Sequence, residues 1–153
     1  MKKYFSFIIF LLFSSTSFSQ NADSTWFVNN YTKLEQYIPM RDGIKLFTSI
    51  YIPKDQSSKH PFLMTRTPYS CSPYGADKYM AVWNSYKMTY AKENFIFVTQ
   101  DVRGRYMSEG IFEDVRPFNK NKKGKEIDEA SDTYDAIDWL VKPIKNNNGK
   151  VGV

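Results

Sequence analysis

Between Glu35 and Val153 the hydrophobic pattern changes period repeatedly, and the order of those changes leaves few folds open. Glu35–Pro39 reads as a short strand. Met40-Arg41-Asp42-Gly43 follows as a turn signalled by Asp-Gly. From Ile44 to Ile52 the chain alternates, with Leu46, Thr48, Ile50 and Ile52 on one face and Lys45, Phe47, Ser49 and Tyr51 on the other. The first pair is therefore expected as an antiparallel hairpin. Pro61–Thr65 is a short apolar strand, Asp77–Lys92 a helix with mixed aromatic faces, and Phe95–Thr99 a strand apolar enough for both faces to be covered. Gln100–Arg105 reads as a loop. Ile127, Ala130, Tyr134, Ile137 and Val141 recur at helical spacing, Pro143 stops that helix, Asn146-Asn147-Asn148 turns, and a strand starts at Lys150. After the hairpin the order is β-α-β-α-β, which predicts an α/β fold with a mainly parallel sheet and flanking helices.

The flanks of that pattern differ from it. Met1-Lys2-Lys3 is a positive start, Phe5–Phe13 is apolar apart from Ser6, and Ser14–Ser19 is small and polar except for Phe18. These are the three regions of a secretory signal peptide, residues 1–19, with cleavage before Gln20. The apolar run is short for a membrane span, so no stable span is expected after cleavage. Export to a periplasmic or extracellular location follows. Residues 20–34 read as a loose polar lead-in, and 35–153 as the folded portion.

Composition excludes several chemistries. The net charge of +5 includes Lys2 and Lys3, and much of the remaining excess lies in Asn119–Lys125. That run lacks interleaved aromatics and reads as a solvated loop, so no nucleic-acid partner is expected. One cysteine, Cys71, and one histidine, His60, are too few for a zinc cluster, and both read as local structure rather than a thiol–imidazole pair. The acids of 126–138 carry no calcium-loop pattern and are expected on a solvated helix face, Asp128, Glu129 and Asp132 lying where they complement the helix dipole. No metal and no cofactor is expected.

No G-x-S-x-G occurs. Ser108 comes nearest, but Tyr106 stands where the tight elbow needs its first glycine. Gly149-Lys150 lacks the other residues of a phosphate loop. Tyr69 stands after a short strand in a Pro-led turn, where a parallel sheet presents its carboxyl ends to ligands. It is either a packed aromatic or a phenol able to donate a hydrogen bond to a developing oxyanion.

Four segments, taken together, carry a resemblance. They are Met40-Arg41-Asp42-Gly43-Ile44-Lys45-Leu46, Thr65-Arg66-Thr67-Pro68-Tyr69, the run Gln100-Asp101-Val102-Arg103-Gly104-Arg105-Tyr106-Met107-Ser108-Glu109-Gly110, and Asp132-Thr133-Tyr134-Asp135-Ala136-Ile137-Asp138-Trp139-Leu140. In this order they resemble the N-terminal part of the X-Pro dipeptidyl-peptidase and cocaine esterase family, particularly its α-amino acid ester hydrolases and glutaryl-cephalosporin acylases. The resemblance implies the N-terminal part of an α/β-hydrolase fold, truncated before the nucleophile elbow. It implies a secreted serine hydrolase of α-amino acid esters, amides or dipeptidyl substrates that works through an acyl-enzyme. By the same resemblance Tyr69 is the oxyanion-hole hydroxyl, and Arg103 pairs with a nearby acid without taking part in the chemistry. The nucleophile, the acid and the catalytic histidine are not in this sequence, so the 153 residues alone are expected to be inactive. The alternative is a non-catalytic secreted binding module or a decayed gene product.

Overall fold

The computed structural model describes residues 22–153; the expected signal peptide lies outside them. Its elements are α1 (Ala22–Asn30), β1 (Tyr31–Pro39), β2 (Lys45–Pro53), β3 (His60–Thr67), a 3-10 turn (Val82–Asn84), α2 (Lys87–Lys92), β4 (Ile96–Asp101), α3 (Glu129–Leu140) and β5 (Asn147–Gly152). The five strands form one sheet in the order β1-β2-β4-β3-β5. β1 and β2 pair antiparallel from Tyr31↔Pro53 to Pro39↔Lys45, closing the expected hairpin. Gly43, at φ +93°, takes the left-handed position that the turn requires. β2 pairs antiparallel with β4, and β4 parallel with β3 from Phe62↔Ile96 to Thr67↔Asp101. β5 runs parallel to β3, with Phe62↔Val151 and Leu63↔Gly152 in register past an irregularity near His60.

Both faces of the sheet are covered, as the continuous apolar reading of β4 predicted. On one face Leu46, Ile50, Phe62, Val98 and Ile96 meet Ala136 and Leu140 of α3. On the other, Tyr51 and Phe97 meet Phe27 of α1, Val82, and Met88 and Ala91 of α2. Alternation along β2 therefore separates two apolar faces rather than an apolar from a wet one, and Leu46–Tyr51 are all buried.

Four local expectations are corrected. Within the expected lead-in of 20–34, the described residues 22–34 are not loose: α1 and the start of β1 occupy them. Phe27 and Tyr31 are fully buried and stacked at 4.5 Å, and the Tyr31 hydroxyl donates to the carbonyls of Ala91 and Phe95. A few aromatics anchor a segment whose other residues are polar, so its average polarity misleads. The expected helix Asp77–Lys92 is helical only in α2 and a 3-10 turn. Tyr79 donates to the Tyr31 carbonyl, the Met80 N–H donates to the Tyr51 hydroxyl, and extended Ser85 breaks the run. These tethers bury the aromatics without a helical period. Gln100 and Asp101 stay in β4 rather than opening a loop, because the Gln100 amide donates to Thr48 Oγ1 at 2.9 Å. β5 begins at Asn147, three residues before Lys150.

Candidate functional site

Parallel pairing brings the carboxyl ends of β3 and β4 to one rim of the sheet, where Thr67 lies opposite Asp101. Past Thr67 the chain turns at Pro68. The Tyr69 N–H donates to Thr67 Oγ1 at 3.0 Å, and the Pro68 carbonyl accepts from Arg105 Nε at 3.1 Å. The Tyr69 side chain stands into solvent, 82% exposed. Ser70, directly after it, holds φ +85°, a left-handed conformation that costs a non-glycine residue about 1–2 kcal/mol.

The loop that carries Tyr69 is pinned at both ends. Near its start, the Cys71 N–H donates to Asp101 Oδ1 at 2.7 Å. Tyr74 donates its hydroxyl to Asp101 Oδ2 at 2.9 Å and lies 2.9 Å from Ser70 Oγ. At its far end, Lys33 Nζ donates to the carbonyls of Pro73 and Gly75, while Glu35 accepts from the Gly75 N–H and pairs with Lys33 at 2.7 Å. Burial foremost, and the hydrogen bond to Asp101, push the Tyr74 phenol up to about 12. The Cys71 thiol is pushed up to about 12 by burial and by the Asp101 charge, so it stays protonated and is no thiolate nucleophile. His60 is buried at the opposite end of β3, about 23 Å away along a strand of this length, with Nε2 3.1 Å from the Asp55 carbonyl oxygen. Cys71 and His60 are local structure, as their sequence context indicated. Ser108 Oγ donates to the Asp101 carbonyl at 2.6 Å and accepts from the Phe47 N–H at 2.8 Å, which commits it to holding the rim together.

Behind the rim lies a set of ion pairs, of which Arg103–Asp132 is almost completely buried. Arg103 binds Asp132 through Nε and Nη2 at 3.0 and 2.7 Å, and Asp42 through Nη1 and Nη2 at 2.7 and 3.3 Å. Arg103 therefore pairs with acids, as expected; burial works against its charge, and the two carboxylates outweigh that and raise its pKa. Arg66 donates to Gln100 Oε1, to the Glu129 carbonyl and carboxylate, and to Thr133 Oγ1. Arg41 grips Asp135. Glu129, Asp132 and Asp135, three residues apart, thus clamp α3 to three arginines. The acids expected on a solvated face are corrected here: Asp128 and Asp132 are each 1% exposed. Helical spacing shows which residues share a face, but not whether that face meets arginines. Among the described residues no group of three or more His, Cys, Asp or Glu is placed to hold a metal ion.

Two glycines let the loop after β4 fold back this closely. Gly104, at φ +69°, would put a Cβ 2.1 Å from the Phe112 nitrogen, and Gly110, at φ +93°, would put one 2.9 Å from Arg103 Cγ. The residue that sequence reasoning missed is Asp101. A carboxylate closing a strand that is covered on both faces was the available signal, since an acid there needs donors.

The geometry can be set beside known proteins. The model of the X-Pro dipeptidyl-peptidase (S15) family matches residues 42–153. A cocaine esterase of Rhodococcus sp. (strain MB1 Bresler) is 28% identical over 122 residues, covering 76% of this chain and 18% of its own length. The solved structure of an α-amino acid ester hydrolase is 37% identical with a TM-score of 0.67, over 91% of this chain and 23% of its own. An aminopeptidase from a marine sediment archaeon, Thaumarchaeota archaeon, is 38% identical with a TM-score of 0.65, over 90% of this chain and 22% of its own. The chain spans under a quarter of the length of each of these relatives. The fold is that of the N-terminal part of these hydrolases.

Proposed function

The chain belongs to the X-Pro dipeptidyl-peptidase (S15) family, and we propose that it forms the N-terminal part of a secreted serine hydrolase of α-amino acid esters, amides or dipeptidyl substrates. The observation that carries this reading is Tyr69: an exposed phenol on a pinned loop at the carboxyl rim of a parallel sheet. Relatives that share the fold at more than 35% identity bear the names of an ester hydrolase and an aminopeptidase, which supports a reading that includes both ester and amide substrates.

In the proposed reaction a serine hydroxyl attacks the carbonyl carbon, and a histidine takes its proton. The carbonyl π-electrons move onto oxygen, giving a tetrahedral oxyanion that accepts a hydrogen bond from the Tyr69 hydroxyl. Collapse expels the alcohol or amine, protonated by the same histidine, and leaves an acyl-enzyme that water hydrolyses. Neither the nucleophile motif nor a suitably placed histidine occurs in the sequence: there is no G-x-S-x-G, and His60 is buried at the wrong end of β3. Residues 1–153 by themselves supply the oxyanion donor without the attacking group and turn over no ester.

The test has two arms. The 153-residue chain, purified, shows no turnover of p-nitrophenyl esters or aminoacyl p-nitroanilides above buffer. The full-length gene product does, and Y69F lowers its kcat roughly 10²–10³-fold, the usual cost of one oxyanion donor. Turnover by the 153-residue chain sinks the first statement, and full activity of Y69F sinks the second. A stable, inactive full-length product that binds peptides would favour a binding module.

A further inference from the structure

Asp101 is fully buried, and among the described residues its carboxylate has no cationic partner; neutral donors alone hold it. Burying a carboxylate is costly, and an apolar residue would close β4 more cheaply. The three donors to its carboxylate share one property: all come from the two rim loops. The Cys71 N–H and the Tyr74 hydroxyl belong to the loop that carries Tyr69, and the Met107 N–H, at 3.3 Å, belongs to the loop after β4. The backbone carbonyl of the same residue takes Ser108 Oγ. Ser70 is held in a left-handed conformation between Tyr69 and these contacts, and its Oγ accepts from the Ser72 N–H at 3.1 Å while touching the Tyr74 hydroxyl. Strain of that kind persists only where surrounding bonds over-determine the backbone.

We infer that Asp101 is a positioning residue for Tyr69: its carboxylate, with Tyr74 as the bridge, locks the strained Ser70 turn and so fixes where the Tyr69 hydroxyl stands. This rests on the proposed oxyanion role of Tyr69. Asp101 touches no reacting atom. It acts by removing the freedom of a loop whose functional side chain has almost no packing of its own, and a displacement of about 1 Å at such a donor costs roughly a hundredfold in rate.

The test uses the full-length gene product with D101A, Y74F, Y69F and the double variant D101A/Y69F, and with L140A as a control for general destabilisation. In D101A the amides of Cys71 and Met107 exchange with solvent at least tenfold faster relative to those of Ile96 and Val98 than in wild type, and Y74F moves Cys71 in the same direction. L140A moves all four together. D101A lowers kcat roughly a hundredfold with KM within about twofold, and in the Y69F background the same substitution costs less than about threefold, because the donor it positions is gone. Loop amides that shift no more than strand amides overturn the inference. So do losses from D101A and Y69F that multiply. Where D101A does not fold, Y74F and its double with Y69F decide by the same criteria. Full turnover by Y69F sinks the oxyanion reading itself, whereas multiplying losses beside a damaged Y69F sink only the role of Asp101.

Discussion

Arg103 holds Asp132 and Asp42 at once, and both the guanidinium and Asp132 are almost completely buried. Replacing it with methionine keeps much of its volume and leaves the buried Asp132 without its hydrogen-bonded cation, Arg66 Nη2 standing 3.9 Å away. R103M is expected to cost about 3–5 kcal/mol, and R103M/D132L to recover most of that, since a buried pair removed whole is often neutral. Urea unfolding midpoints of the two variants measure the difference. That Arg103 would pair with an acid was readable from its place in the motif. Which acid, and that Asp132 would be buried, was not: the partners lie 29 and 61 residues away, and only the fold brings them to one guanidinium. Asp101 escaped for a related reason. Its donors are backbone N–H groups and a tyrosine hydroxyl, which leave no charge pattern in a sequence.

Among the elements, α3 depends most on its ends. Asp128 caps it, accepting from the Ser131 N–H at 2.8 Å while Ser131 Oγ accepts from the Asp128 N–H, and Lys122 pairs with the same carboxylate. Burial works against this charge, but Lys122 and the N–H groups of Asn119 and Ser131 outweigh it and hold the carboxyl well below its usual 3.8. A carboxyl depressed on folding stabilises the fold fully above its unfolded pKa, and that contribution drains away as pH falls through the lower folded value. Asparagine caps as well as aspartate, so D128N removes the charge that faces Lys122 and the acceptor for the Asn119 N–H rather than the cap; it should cost about 1.5–3 kcal/mol at neutral pH, and less relative to wild type below about pH 4. Urea midpoints of both proteins between pH 7 and pH 3 converge if this is right; parallel curves refute it. Strands and α3 were legible because their apolar period is regular. α1 and the Asp77–Ser85 stretch were not, because there burial depends on single aromatics: Phe27 stacked on Tyr31, and Tyr79 tethered to the sheet through its hydroxyl.

At the scale of the whole molecule, one sheet separates two apolar layers that share β2 and β4. Trp26 and Trp83 pack beside the layer that contains Phe27, and Trp139 beside the one that contains Leu140. Since the same strands line both, the layers should unfold together. F27A is expected to cost about 3–5 kcal/mol and to lower the transition reported by Trp139 as much as that reported by the other two tryptophans; two separate transitions would contradict this. Single-tryptophan variants followed by fluorescence make the measurement. The parallel register of β3 and β5 has a further consequence. Gly152 stands level with Leu63, and Thr67 is four residues further along β3. A strand that keeps this register comes level with Thr67 four residues past Gly152 and with Pro68 one later. Under the proposed serine mechanism the sheet therefore acts as a ruler: continued in this register, it sets where in the reading frame the chain reaches the rim that carries Tyr69.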